Sequence, residues 1–214
     1  MNTPQVVVVN TGAANLASVA AALSRLGTQA HVSEDTNCVK EARLLVLPGV
    51  GAFGPAMRRL RERKLDDALL DRVRLGRPLL AICLGMQLLC EQSEESPGEQ
   101  GLGIIPGSLR RFESPARVPQ MGWNQITPAP GAVLLQPAAM YFANSYRLDT
   151  IPNGWSGTTS LYGNTFASAL ERGPILACQF HPELSGNRGL ELISRWLALS
   201  PDTTFAPTSE ASTC

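Results

Sequence analysis

Three groups in this sequence have the types and settings needed for acyl transfer: a cysteine at a sharp turn, a histidine followed by an acid, and a glycine loop. Cys83 stands in "LLAICLGMQLL", residues 79 to 89, between an apolar run and a glycine. A free cysteine is among the residues most often buried as a small hydrophobe, so core filling is the plain alternative to catalysis. A nucleophile elbow needs small residues two positions either side of the nucleophile, because the strand-to-helix turn is sharp and crowded. Ala81 and Gly85 meet that need. A helix starting after Cys83 aims unpaired N–H groups and the positive end of its dipole at the sulfur, which favours thiolate over thiol.

A thiol nucleophile also needs a base. The chain has two histidines. His31, in "TQAHVSED", has no catalytic context and reads as an edge or surface residue. His181 follows the apolar stretch "PILACQF", and Pro182 biases it towards extended geometry, in which residues two apart project to one side. Glu183 then reaches the imidazole, and a Cys–His pair steadied by a carboxylate is the arrangement that activates a thiol. The plain alternative for "HPE" is a strand-end turn with a solvated glutamate. The third group is "LPGVGAFG", residues 47 to 54, where the backbone at Gly49, Val50 and Gly51 is placed to supply an oxyanion donor beside the Leu84 N–H. A simple tight turn is the alternative there.

The elements that must hold these groups alternate. "QVVVVN" is a β-branched run without alternation, as in a strand covered on both faces. "NLASVAAALSRLG" places Leu16, Val19, Ala20, Leu23 and Leu26 on one helical face, with Asn15 as cap and Gly27 as stop. The pattern recurs with "RLLVLP" before an amphipathic helix over "PAMRRLRERKLDDALLDRVRLG", and with "PLLAIC" before a helix over "LGMQLLCEQ". This predicts an α/β fold with a mostly parallel, doubly wound sheet and flanking helices. From about residue 92 to 165, Pro- and Gly-rich sequence with short strands such as "MYFANSYRL" and "GTTSLYG" predicts antiparallel additions. "PILACQF" reads as a last strand and "RGLELISRWLAL" as a last helix. One domain is expected over residues 1–199, with 200–214 a disordered tail.

Composition narrows the function classes. Eighteen basic residues balance eighteen acidic ones, leaving no field to attract nucleic acid or an anionic membrane. The apolar runs fall short of the ~20 residues of a membrane span. Five cysteines without a CxxC pair, and two histidines, offer no metal site at zinc spacing, and an odd count argues against a disulfide framework. The glycine loop is neither a Walker nor a dinucleotide loop. A cytoplasmic protein without metal or cofactor is the expectation.

Together, "AICLGMQ", "QFHPELSG" and "LPGVGAFG" resemble the class I, or triad, glutamine amidotransferases, which implies a flavodoxin-like sheet. "TGAANLASV", "PQMGWNQI" and "YFANSYR" extend the resemblance, over roughly residues 5 to 199, to the glutaminase subunits of imidazole glycerol phosphate synthases. The resemblance implies that Cys83 attacks the carboxamide of glutamine, that His181 is acid and base, and that Glu183 orients it. It further implies that Gln87, Gly51, Ser145 and Tyr146 hold glutamine. By the same resemblance ammonia passes to a (β/α)8-barrel cyclase subunit in a heterodimer, with Asn15, Met121, Trp123 and Asn124 near that interface. Departures are Ala81 where glycine is usual, Asn144 where many relatives carry histidine, and Leu184 where some carry lysine. Two other readings stay open: a glutaminase serving another acceptor, such as anthranilate or aminodeoxychorismate, and a cysteine-elbow protein of the stress-response or peptidase type.

Overall fold

The computed structural model describes residues 5–12, 15–113 and 116–199. Strand β1 (Gln5–Val9) leads through α1 (Leu16–Arg25) to β2 (Gln29–Ser33), and α2 (Thr36–Glu41) leads to β3 (Leu44–Gly49). Helices α3 (Phe53–Glu62) and α4 (Leu65–Arg74) precede β4 (Leu79–Cys83) and the short α5 (Leu84–Leu88). The middle of the chain is strand-rich: β5 (Cys90–Ser93), β6 (Ile105–Arg111), β7 (Gln120–Pro128), β8 (Ala138–Asn144), β9 (Tyr146–Arg147), β10 (Ser156–Tyr162) and β11 (Asn164–Arg172). Strand β12 (Ile175–Cys178), a 3-10 turn (Pro182–Leu184) and α6 (Gly186–Leu197) close it. The boundary expected at residue 199 has the tail, residues 200–214, outside the described residues.

A nine-stranded sheet runs in the order β2-β1-β3-β4-β12-β11-β10-β7-β8, and a smaller one joins β5, β6 and β9. Strands β2, β1, β3, β4 and β12 are parallel, and the remainder of the large sheet is antiparallel. This is the doubly wound sheet with antiparallel additions that the sequence predicts. The unbroken apolar strands follow from burial on both faces. Val7, Val9, Leu45, Leu47, Leu79 and Ala81 face a core shared with α3 and α4, while Val6, Val8, Leu44, Val46, Leu80 and Ile82 face one shared with α1 and α6. His31 lies exposed on the edge strand β2, as its sequence context implies.

Two elements differ from expectation. The long amphipathic stretch is two helices, because the chain turns at Lys64, whose φ of 55° lies in the left-handed region. The helix after Cys83 stops at Leu88, and Cys90 lies on β5 rather than two turns into a helix. The returning segment explains this: Leu102 N donates to Leu88 O, Ile104 N to Leu89 O and Gly103 N to Cys90 O, occupying carbonyls that a longer helix would use. Gly101 passes so close that a Cβ there would meet Cys90 O at 2.1 Å.

One buried cation ties the parallel half together. The Arg72 guanidinium, fully buried, donates to the carbonyls of Val39, Lys40, Ala42, Arg43 and Pro78. It thereby closes the C-terminus of α2 and the entries to β3 and β4 in place of backbone donors. Burial lowers its pKa to about 10, so it stays charged at neutral pH. Arg72→Met should lower the unfolding free energy by about 3 kcal/mol in urea titrations, since several buried carbonyls lose their partner. Arg74→Met, on the exposed side of the same helix, should change it by less than about 0.5 kcal/mol; equal effects would refute the role given to Arg72.

Candidate active site

Cys83 ends β4 with φ 53° and ψ −111°, a conformation strained for any residue but glycine and one that points its side chain out of the sheet. In the β3–β4 register it lies opposite Gly49. The turn is possible because its neighbours are small. A Cβ on Gly85 would meet Leu47 O at 1.9 Å, and one on Gly49 would meet Leu84 Cβ at 2.9 Å. Ala81 is fully buried without distorting the strand.

Cys83 is 7% exposed, and its sulfur lies 4.0 Å from Ala143 O and 3.8 Å from Gln179 Nε2. The His181 ring lines the same cavity as Cys83 and sets Nδ1 2.8 Å from Glu183 Oε1. Glu183 does not reach the ring by strand alternation, as the sequence suggests. His181 is extended, but Pro182 opens a 3-10 turn, and it is the turn that folds the carboxylate back onto the ring. The backbone of His181 is held on both sides: its N–H donates to Tyr141 O at 2.9 Å, and its carbonyl accepts from Ser185 Oγ at 2.6 Å.

Burial works against an imidazolium at this position, yet the hydrogen bonds to Cys83 and Glu183 and their charges outweigh it and raise the His181 pKa to about 10. Glu183 Oε2 is buried and has no hydrogen-bond partner, so His181 is the outlet for the carboxylate's charge. The described residues contain no cluster of side chains able to hold a metal ion.

A cavity of about 250 Å³ opens over the sulfur, lined by Val50, Gly51, Cys83, Leu84, Gln87, Ser145, Tyr146 and His181 among others. Cys83, His181, Val50, Gly51, Leu84, Gln87, Ser145 and Tyr146 therefore meet around one space, while Gly49, the other oxyanion candidate, does not line it and packs against Leu84 and Gly85 instead. Gly51 has φ 99°, open to glycine but costly to other residues, where the β3–α3 loop turns along the cavity wall. The Gln87 side chain is buried: its Nε2 donates to Gln179 Oε1 at 3.0 Å and to Tyr146 O at 3.4 Å. Asn144 uses Nδ2 to hold the same Tyr146 carbonyl at 2.9 Å.

Two functional candidates escape sequence reasoning. Gln179 lies two residues before His181 and faces the same way, and a glutamine inside the apolar run "ILACQF" is the signal that could have found it. Glu95 lines the cavity and accepts from Phe53 N at 2.7 Å, while Ser96 Oγ accepts from Gly54 N at 3.0 Å. These two cap α3, whose own N-cap, Ala52, supplies no side chain, and so fasten the end of the glycine loop. No local pattern in "SEESPGEQ" points to that contact.

The remaining candidates lie elsewhere. Met121 and Trp123 are 68% and 60% exposed on β7, on the face they share with Ala143 and Tyr141 across the β7–β8 pair. Trp123 and Tyr141 pack edge to face at 6.1 Å, and Leu161 on β10 is also exposed. Asn15 and Asn124 already have structural tasks. Asn15 caps α1 through Ser18 N, and Asn124 donates to Leu161 O.

A histidine whose folded pKa is raised adds stability that is complete below its unfolded value, near 6.5, and is lost as pH climbs through the folded value. The stability difference between the native chain and His181→Gln should thus be largest below pH 6.5 and shrink up to about pH 10. Urea titrations across that range measure it, and a difference that grows with pH would refute the charge pairing.

Three comparisons bear on this geometry. Residues 7–198 match the family model described as glutamine amidotransferase class-I. Proteins named imidazole glycerol phosphate synthase subunit HisH are 40% identical in Herpetosiphon aurantiacus, over 91% of this chain and 94% of the relative, and 43% identical in Chlorobium luteolum, over 88% and 96%. A solved structure described as a glutamine amidotransferase superposes with a TM-score of 0.73 at 21% identity, covering 89% of this chain and 96% of its own, a likeness of fold. With a matching family model over most of its length and a strained Cys83 facing His181, the chain belongs to the class I glutamine amidotransferases.

Proposed function

We propose that this protein is the glutaminase subunit of an imidazole glycerol phosphate synthase, releasing ammonia from glutamine for a cyclase partner in histidine biosynthesis. The observation that carries the chemistry is the convergence of Cys83, His181 and Glu183 beneath one cavity. Cys83 Sγ attacks the side-chain carbonyl carbon of glutamine, and the electron pair moves onto oxygen. The N–H of Leu84 and the backbone at Gly49, Val50 and Gly51 receive that charge. His181 then gives its proton to the departing nitrogen, ammonia leaves, and a glutamyl thioester remains on Cys83. His181 next takes a proton from water, whose hydroxide adds to the thioester and frees glutamate and the Cys83 thiolate beside a protonated His181, as at the start. Glu183 orients the ring and steadies its positive form throughout. Gln87, Gly51, Ser145 and Tyr146 hold the substrate.

Ammonia set free in neutral water is protonated and loses its nucleophilicity, so the product is useful only if it passes directly to an acceptor. The exposed apolar face supports a partner. Met121, Trp123 and Leu161 present large side chains on the sheet face that also carries Ala143, which lines the cavity. Aromatic residues and methionine are characteristic of interface cores. We assign this face, together with Asn15 and Asn124, to a (β/α)8-barrel cyclase subunit. The Asn144 and Leu184 departures leave the corresponding contacts of other members without a counterpart. No helix among the described residues is long and apolar enough to cross a membrane. A cytoplasmic setting, in which thiols stay reduced, keeps Cys83 usable.

The test is glutamate release by the chain with its cognate cyclase carrying that subunit's ligand. Cys83→Ala should lower turnover by about 10⁶-fold, the scale of loss when a nucleophile is removed from a triad. A rate unchanged by that substitution would overturn the assignment. Trp123→Ala should weaken the complex at least tenfold, the effect of removing a central aromatic anchor, as read by titration calorimetry. Co-purification with a chorismate-binding protein instead of a barrel would favour the other acceptor.

A further inference from the structure

We propose that Gln179 is a positioning residue that sets the Cys83 sulfur and the Gln87 carboxamide through one buried amide; the inference rests on the glutaminase reading above. Gln179 is fully buried, directly after β12, and its backbone N–H is fixed to Ser168 O at 2.9 Å. Only one orientation of its side-chain amide serves both neighbours. Gln87 Nε2 points at it from 3.0 Å and can only donate, so the Gln179 oxygen must face Gln87 and its NH₂ must face Sγ, at 3.8 Å. A flipped amide would set two donors against each other and leave the sulfur opposite an oxygen.

The chain of bonds continues beyond Gln87. The same Gln87 nitrogen donates to Tyr146 O, which Asn144 Nδ2 also holds. With both of its amide protons taken by Gln179 and Tyr146, Gln87 has only its carbonyl oxygen left for a ligand in the cavity, and an oxygen suits the ammonium of an amino acid. Gln179 thus fixes which end of Gln87 a substrate meets. At its other end it donates a hydrogen bond to the nucleophile. One residue, without reaching the substrate, couples the place where glutamine is held to the place where it is attacked.

Gln87→Met, Gln179→Met and the double variant test this in the complete complex. The double variant replaces both partners by apolar groups of similar size, which a core tolerates even where one orphaned amide would not. Site-resolved alkylation of Cys83 by iodoacetamide, which needs no glutaminase activity, should slow about fivefold or more in both variants lacking Gln179 and by clearly less in Gln87→Met, where the sulfur still has the Gln179 amide as a donor. KM for glutamine should rise by a similar factor in all three, the two substitutions failing to multiply, while kcat falls further wherever Gln179 is replaced. Alkylation in the double variant as fast as in Gln87→Met, or KM effects that multiply, would overturn the proposal. Native complex that releases no glutamate would instead defeat the glutaminase reading, leaving the alkylation comparison to decide the hydrogen bond to sulfur.

Discussion

The close contact between β3 and β4 is the constraint on which the rest of this structure depends. Cys83 can leave its strand with φ 53° only because the helix that follows lies almost against the neighbouring backbone, with room for no atom between Gly85 and Leu47 O. A parallel sheet covered on both faces allows that proximity, since its two flanking cores press the strands flat from either side. Arg72 serves the same end from the opposite edge by closing the turns that lead into β3 and β4. The strain at the elbow is therefore offset by packing spread through the whole parallel half, as a persistent backbone outlier requires.

The antiparallel half supplies what the elbow lacks, a wall and an outer face. Phe112, Phe142, Phe166 and Phe180 meet edge to face at 5.2 to 5.9 Å and anchor β8, β11 and the segment after β12 on one core. Because side chains alternate along a strand, fixing Phe142 and Met140 inward turns Tyr141 and Ala143 outward. Tyr141 O then holds His181 N, while Ala143 borders both the cavity and the exposed face with Met121 and Trp123. The position of the base and the apolar surface beside the cavity thus follow from a single register.

The sequence made much of this legible, for identifiable reasons. Strand runs, helix stripes and the small residues around Cys83 are local signals, and the structure places them where local physics puts them. What the sequence concealed is non-local. Glu183 reaches His181 through a 3-10 turn rather than by alternation, because Pro182 starts a new element as readily as it ends one. The helix after Cys83 stops early because residues 101 to 105 return to claim its carbonyls, a contact invisible from residues 84 to 92. Gln179 and Glu95 owe their importance to partners at separations of 92 and 42 residues.

Three cysteines of this chain separate burial from function. Cys90 and Cys178 lie in the two cores, and desolvation pushes the Cys90 thiol up to about 12 and the Cys178 thiol well above its ordinary range, with neighbouring carboxylates adding to both. Their thiols behave as small hydrophobes. Cys83 is nearly as hidden from solvent, so exposure does not distinguish it. Its partners do: an imidazole braced by a carboxylate, an amide N–H, and the start of α5 directly after it in the chain. A cation, an N–H and a helix start each favour negative charge on an adjacent sulfur, whereas Cys90 and Cys178 lie fully buried among apolar core side chains. The difference between core filler and nucleophile is thus one of directed hydrogen bonds rather than depth, and those bonds come from strand ends that only the completed sheet brings together.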